Sequence, residues 1–296
     1  MTVDWDPTLP PVWRVVDEMT TLVARAAAAI VAIDRSTVMR WTKQDLSPVT
    51  AADTAAQSII VEGLTQIVPG LPIVSEEASE LNPIMQPGAT FVLVDPLDGT
   101  REFLAGRDEF TVNIAVVSQG TPVAGCIAAP ALALIWSGAV GYGAERFELL
   151  PPTEVHSCGN RRPIRTRPLS DRDIHVAVSR SHFDSRTERF LARLPSAHRI
   201  AYGSSLKFCR IAEGSIDVYP RLGPTHEWDI AAGHAIVVAA GGIVAAPDGR
   251  PLIYGRGADG YAVPGFVAWG DPVAAKGVLG RAASDWANST PYAVPI

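Results

Sequence analysis

Phe91-Val-Leu-Val-Asp95-Pro-Leu-Asp98-Gly-Thr100 is the stretch on which the fold turns. Its first four residues are an apolar, β-branched-rich run with the pattern of a buried strand. That run passes without a break into an acidic turn. Asp95 and Asp98 stand three apart across a turn made by Pro96 and Gly99, so both carboxylates and the Leu97 carbonyl can face one point. Converging hard oxygen donors suit Mg²⁺. Carboxylates share a site at neutral pH only when positive charge offsets their repulsion, and two or three Mg²⁺ ions would do so. The plainer alternative is an Asp-rich turn with a helix cap. Gly99-Thr100 is expected to open a short helix through Leu104, its amides turned toward the same point as an anion site. The Thr100 hydroxyl can hold a water there.

Outward from this stretch the chain divides. Val15, Val16, Met19, Leu22, Val23 and Ala26 follow helical spacing, predicting an amphipathic helix over 13–33. Thr50-Ala-Ala-Asp53 has capping-box form and opens a second helix to about Leu64, stopped by Pro69-Gly70. From spacing alone Asp53 is the acidic partner of that box, with a role as base toward Thr100 as the alternative. Ile73-Val74 predicts a strand ending at Ser75-Glu76-Glu77, and 79–89 a loop. Strands over 110–117, 123–129 and 132–140 predict an antiparallel sheet in the first half. A Pro-, Arg- and Ser-rich stretch over 150–172 places a boundary between a subdomain of residues 1–160 and one of 161–296. In the second half strands (174–178, 199–202, 216–219, 243–246) alternate with helices (184–194, 204–213, 229–240), an α/β layer with parallel pairing. Beyond Gly270 the chain is weakly patterned.

Composition narrows the class. Of 296 residues 47% are hydrophobic and 19% charged, which excludes a disordered chain. A net charge of −6 argues against a nucleic-acid surface, so an anionic substrate needs a local site aided by bound cations. No apolar run reaches membrane-span length, and the acidic first eleven residues lack a basic-then-apolar leader. Cys126, Cys158 and Cys209 are unpatterned, as expected for reduced thiols in a cytoplasm. Only Lys43, Lys207 and Lys276 are lysines among 25 basic residues; where Lys survives in an Arg-rich chain, a compact point charge is the simplest reason.

Glu76-Glu77, Asp95-Pro-Leu-Asp-Gly-Thr100, and Trp228-Asp229-Ile-Ala-Ala-Gly233 followed by Ala240-Gly-Gly242 resemble, in order and spacing, the signatures of the inositol monophosphatase superfamily. Four further segments resemble its CysQ-type 3′(2′),5′-bisphosphate nucleotidase branch. They are Lys43 to Asp53, Ser179-Arg-Ser-His182, Gly203-Ser-Ser-Leu-Lys-Phe-Cys209 and Tyr219-Pro-Arg221. The resemblance covers about residues 13 to 270.

It implies a layered α/β/α/β/α sandwich, antiparallel sheet first and mostly parallel sheet second, with the metals between the halves. It implies a lithium-sensitive, Mg²⁺-dependent phosphatase that converts adenosine 3′,5′-bisphosphate to AMP, a by-product clearance in sulfate assimilation. Glu76, Asp95, the Leu97 carbonyl, Asp98 and Asp229 would be metal ligands, with Glu77 and Lys43 in support. Asp53 and Thr100 would activate the attacking water. Gly99, Thr100, Ser179, His182, Gly203, Ser204, Lys207 and Arg221 would hold the substrate. The expected partner is a small nucleotide, with no nucleic acid and no stable membrane span. The expected location is the cytoplasm; attachment to the inner face of the cell membrane stays open, without a basic amphipathic helix to provide it. An inositol- or sugar-phosphate phosphatase is the nearest rival, because the metal half is common to both. A catalytically idle nucleotide-binding protein on the same fold is a further rival, against which the intact carboxylate set speaks.

Overall fold

The computed structural model describes residues 5, 8–42, 48–79, 86–149, 158–170, 173–180, 184–194 and 197–277. Lys43 and His182 lie outside the described residues. The chain opens with helix α1 (Val12–Val31), whose buried stripe runs from Val12 through Val15, Met19, Leu22, Val23 and Ala26 to Ile30. A hairpin, β1 (Arg40–Thr42) with β2 (Pro48–Thr50), leads into α2 (Ala51–Ile67). The Thr50 side chain accepts from Ala52 N, and Asp53 returns the contact to Thr50 N at 2.7 Å, as the capping box predicts.

Next come β3 (Ile73–Ser75), α3 (Glu76–Ser79), β4 (Thr90–Asp98), α4 (Thr100–Leu104), β5 (Thr111–Ser118), β6 (Thr121–Ala129), β7 (Leu134–Ala139), β8 (Gly143–Leu149) and β9 (Cys158–Ile164). The strands from β3 to β9 form one seven-stranded sheet in sequence order. Only the β3–β4 pair is parallel. Strands β8 and β9 were not foreseen. Their sequences, GAERFEL and CGNRRPI, are polar because they lie at the sheet's open margin, where little apolar surface is covered. Strand β9 carries the large sheet across residue 160 to Ile164.

The second half contains β10 (Ile174–Ser179), α5 (Ser185–Leu191), β11 (Ala197–Tyr202), α6 (Leu206–Ala212), β12 (Val218–Arg221), β13 (Thr225–His226), α7 (Glu227–Ala239), β14 (Ile243–Ala245), β15 (Ala262–Val263) and β16 (Phe266–Trp269). Its sheet has the order β11-β10-β12-β16-β14. Strand β16 runs antiparallel to both its neighbours, so the other four strands point one way. Phe266-Val-Ala-Trp269 sits inside this sheet although no strand was read there; the run is four residues long and lacks a repeat to mark it.

The layers follow from which faces are apolar. One face of the large sheet packs with α1 and α2. The other packs with α6 and α7, which also cover the second sheet. The far side of that sheet packs against Phe190 and Leu191 of α5. This is the α/β/α/β/α sandwich, and α7 is its middle layer. A side chain at Gly125 of β6 would come 2.4 Å from the Ala232 carbonyl of α7, so the sheet and helix approach at backbone distance.

Within α7, His234 is 6% exposed and its Nδ1 contacts the Tyr254 hydroxyl at 2.9 Å. Burial holds its pKa down to about 4 from 6.5. The unfolded chain therefore takes up a proton between these values that the folded protein refuses. The stability carried by neutral His234 is complete above about pH 6.5 and is lost as pH falls toward 4. Between pH 7 and 5 the loss should be about 2 kcal/mol. Urea denaturation of the parent and His234→Gln at both pH values checks this: the parent should lose about that much more than the variant.

Candidate active site

Residues three apart on a regular strand point to opposite faces. Asp95 and Asp98 escape this rule. Asp95 pairs with Asn113 and Asp98 with Thr111, so β4 carries one extra residue between them. This bulge falls at Pro96-Leu97, where proline has no N–H to lose from the ladder. It turns both aspartates into the same cleft. Leu97 N closes the bulge by donating to Asp95 Oδ1 at 3.1 Å. Gly99 follows in the left-handed region (φ 89°) and starts α4, as expected.

The cleft has a volume of about 400 Å³ and lies between the two halves. It is lined by Glu76, Asp95, Leu97, Asp98, Gly99, Thr100, Ser179, Gly203, Ser204, Lys207, Arg221 and Asp229, all named from sequence. One carboxylate oxygen each of Glu76, Asp95 and Asp229 lies within 4.8 Å of the other two. That donor set fits a hard divalent cation such as Mg²⁺. Asp229 reaches it from the first turn of α7, where His226 N donates to its Oδ2 at 3.0 Å and the Thr225 hydroxyl donates to the same oxygen. Asp98 faces the same cleft but stands outside this trio. Its Oδ2 accepts from Ser204 Oγ at 2.6 Å. Burial, and then the Asp229 charge, push Asp98 up to about 6. Glu77 follows Glu76 on α3, partly buried and outside the cleft lining.

Asp53 contacts both Thr50 and Thr100. Its Oδ2 accepts from Thr50 N and Oγ1, both at 2.7 Å, while Oδ1 accepts from Thr100 Oγ1 at 3.1 Å. Burial raises its pKa above the ordinary carboxylate value. Thr100 Oγ1 is also 3.1 Å from the Leu97 carbonyl.

On the opposite wall Lys207 is 1% exposed. Its ammonium donates to the Tyr202 carbonyl at 3.2 Å and to the Ser204 carbonyl, and stands 5.1 Å from the Tyr219 ring centre. Burial lowers its pKa to about 8. Arg221 Nη2 donates to Pro224 O at 3.1 Å, while its Nε is buried without a hydrogen-bond partner. Three features escaped the sequence reading. His226 stacks on Trp228 in the cleft wall, ring centres 4.8 Å apart. Glu109 takes a two-pronged contact from Arg180, both at 2.9 Å. Thr111 and Asn113 meet the 203–205 turn. Only Trp228 carried a signal, as the residue before Asp229.

A layered sandwich with a carboxylate trio between its halves defines a metal-dependent hydrolase class. The Inositol monophosphatase family is matched over residues 12–282, and the chain belongs to that family. Among its relatives is the 3′(2′),5′-bisphosphate nucleotidase CysQ of Salmonella typhimurium, 44% identical over 76% of this chain and 86% of that protein. The crystal structure of CysQ from Bacteroides thetaiotaomicron superposes with a TM-score of 0.70 at 32% identity, covering 87% of this chain and 97% of that one. The inositol monophosphatase from Anabaena gives 0.69 at 25% identity over 91% and 95%. Among the described residues no helix is long and apolar enough to cross a membrane.

Lys207 shares the Tyr202 carbonyl with Arg180 N and also holds the Ser204 carbonyl, so removing its ammonium takes this donor from Ser204 O, which costs about 1–3 kcal/mol. Lys207→Met should lower stability by that order in guanidinium denaturation. Unchanged stability would assign the ammonium to substrate alone.

Proposed function

We propose that this chain is a Mg²⁺-dependent 3′(2′),5′-bisphosphate nucleotidase that hydrolyses adenosine 3′,5′-bisphosphate to AMP and phosphate. The observation that carries the reading is the meeting, in one cleft, of the Glu76–Asp95–Asp229 trio with Thr100, which is backed by Asp53, and the cationic Lys207–Arg221 wall. The CysQ relatives bear that activity in their names.

Glu76, Asp95, Asp229, Asp98 and the Leu97 carbonyl would hold two or three Mg²⁺ ions. When bound, the cations supply positive charge against the phosphoryl oxygens and Lewis acidity toward water. Thr100 directs its proton toward Asp53 or Leu97 O, so its lone pairs face the cleft and can accept from the attacking water. As the water gives its proton to Thr100 Oγ1, Thr100 passes its own along the 3.1 Å contact to Asp53 Oδ1, whose affinity for protons is raised. Arg221 offers a buried donor to a phosphate or ribose oxygen of the substrate. The stacked His226–Trp228 pair gives the cleft a flat aromatic wall. Ser179, Gly203 and Ser204 would complete the nucleotide side, with Gly99 and Thr100 at the transferred phosphate; the resemblance gives His182, outside the described residues, the same role. Cys126 and Cys209 are buried and in no disulfide, which accords with a cytoplasmic enzyme.

Phosphate release with Mg²⁺ should be far faster from adenosine 3′,5′-bisphosphate than from inositol 1-phosphate. The reverse preference would keep the carboxylate site and void the nucleotide assignment. Loss of the Thr100 hydroxyl should lower kcat by about 10²–10⁴-fold with little change in KM. Steady-state kinetics of Thr100→Val measures both.

A further inference from the structure

The approach to β5 brings Glu109, Thr111 and Asn113, alternate residues that share one face. The intervening Phe110, Val112 and Ile114 are buried in the core beneath α1 and α2. The polar face meets the 203–205 turn from the other half. Glu109 Oε2 accepts from Gly203 N at 2.8 Å. Beyond it the contacts form one line. Ser204 Oγ donates to Asp98 Oδ2 at 2.6 Å and touches Thr111 Oγ1. Thr111 Oγ1 lies 2.7 Å from Ser205 Oγ, which lies 2.7 Å from Asn113 Oδ1. Ser204 sits in a left-handed backbone conformation (φ 52°), which a serine keeps only where its surroundings hold it.

The protons in this line can be counted. Three hydroxyls bring three protons, and there are four contacts. An ionised Asp98 only accepts, and an amide oxygen only accepts. With the Asn113 oxygen against Ser205, one contact must therefore set lone pair against lone pair. Asn113 Nδ2, meanwhile, is buried without a hydrogen-bond partner. A half-turn of the amide exchanges nitrogen and oxygen with almost no change of shape. It brings a fourth proton, and all four contacts then run one way, from Asn113 through Ser205, Thr111 and Ser204 to Asp98.

We infer that Asn113 is a positioning residue: its amide nitrogen donates to Ser205 and so orders the Ser205–Thr111–Ser204 hydroxyls that Ser204 always donates to Asp98. The chain occupies Oδ2 of that carboxylate and leaves Oδ1 to the cleft. Ser204 acts through its hydroxyl on Asp98, and Thr111 is the middle member of a line whose every contact crosses between the halves. The functional consequence rests on Asp98 being a cation ligand; the proton order does not.

Two measurements test this without relying on turnover. Neutron diffraction from deuterium-exchanged crystals of the parent should show deuterium on the Asn113 nitrogen facing Ser205, and the Ser204 deuteron facing Asp98. A deuteron on Asp98, with the Asn113 oxygen facing Ser205, would overturn the inference. Mn²⁺ affinity, followed by electron paramagnetic resonance, should fall about 10–100-fold in Thr111→Val and Asn113→Asp. Thr111→Ser, which keeps the hydroxyl, should stay near the parent. Folded Val and Asp variants that bind Mn²⁺ like the parent, or a Thr111→Ser as weak as Thr111→Val, would also overturn it. A parent that binds no Mn²⁺ would overturn the cation reading instead, and the nuclear density would still decide the proton order.

Discussion

Crowding of negative charge is the constraint from which the rest of the structure follows. Glu76, Asp95 and Asp229 bring oxygens within 4.8 Å of one another, with Asp98 facing the same cleft. Each carboxylate repels the others, and the rise of Asp98 to about 6 includes the Asp229 charge as a cause. The fold tolerates this arrangement by placing carboxylates where partial positive charge already exists. Asp53 and Asp229 each sit in the first turn of a helix and accept backbone N–H groups there. The residual demand for positive charge is what a cation would meet, so the same crowding of oxygens selects the ligand.

Holding such a site between two halves requires that the halves not slide. Helix α7 solves most of this, because it packs on the large sheet and the second sheet together and delivers Asp229 from its first turn. Polar contacts lock the remainder. Near the cleft, Arg180 and Gly203 both engage Glu109. Elsewhere along the junction, Glu213 accepts from Trp136 Nε1 at 2.6 Å and from Arg146 at 3.1 Å. Lys207 braces the intervening turn from within. Lys207, expected to touch substrate, lines the cleft and also holds two carbonyls. Its compact ammonium reaches both Tyr202 and Ser204, a task that suits a point charge better than a planar fork.

Local signals in the chain were read well where chemistry is local. The capping box at Thr50, the helical stripe of α1, the strand before Asp95 and the short helix after Gly99 all depend on neighbours within a few residues. Strands β8, β9 and β16 were missed because their pairing partners, not their own pattern, make them strands. The Pro- and Arg-bearing segment over 158–164 likewise pairs as a sheet margin, which its own pattern does not announce.

By itself the sequence determined the chemistry of the site. Two aspartates around a proline, a glycine-threonine step and an acidic pair supply hard oxygens and a hydroxyl whatever the fold. Only the tertiary structure decided how they are used. It set Asp95 and Asp98 on one side of β4 through a bulge that spacing does not reveal. It joined Thr100 to Asp53, gave Asp98 to Ser204, and turned Lys207 inward. Each of these contacts joins segments whose approach depends on burying the apolar faces of the sheets and α7 together. That packing is a property of the whole chain, and no window of residues contains it.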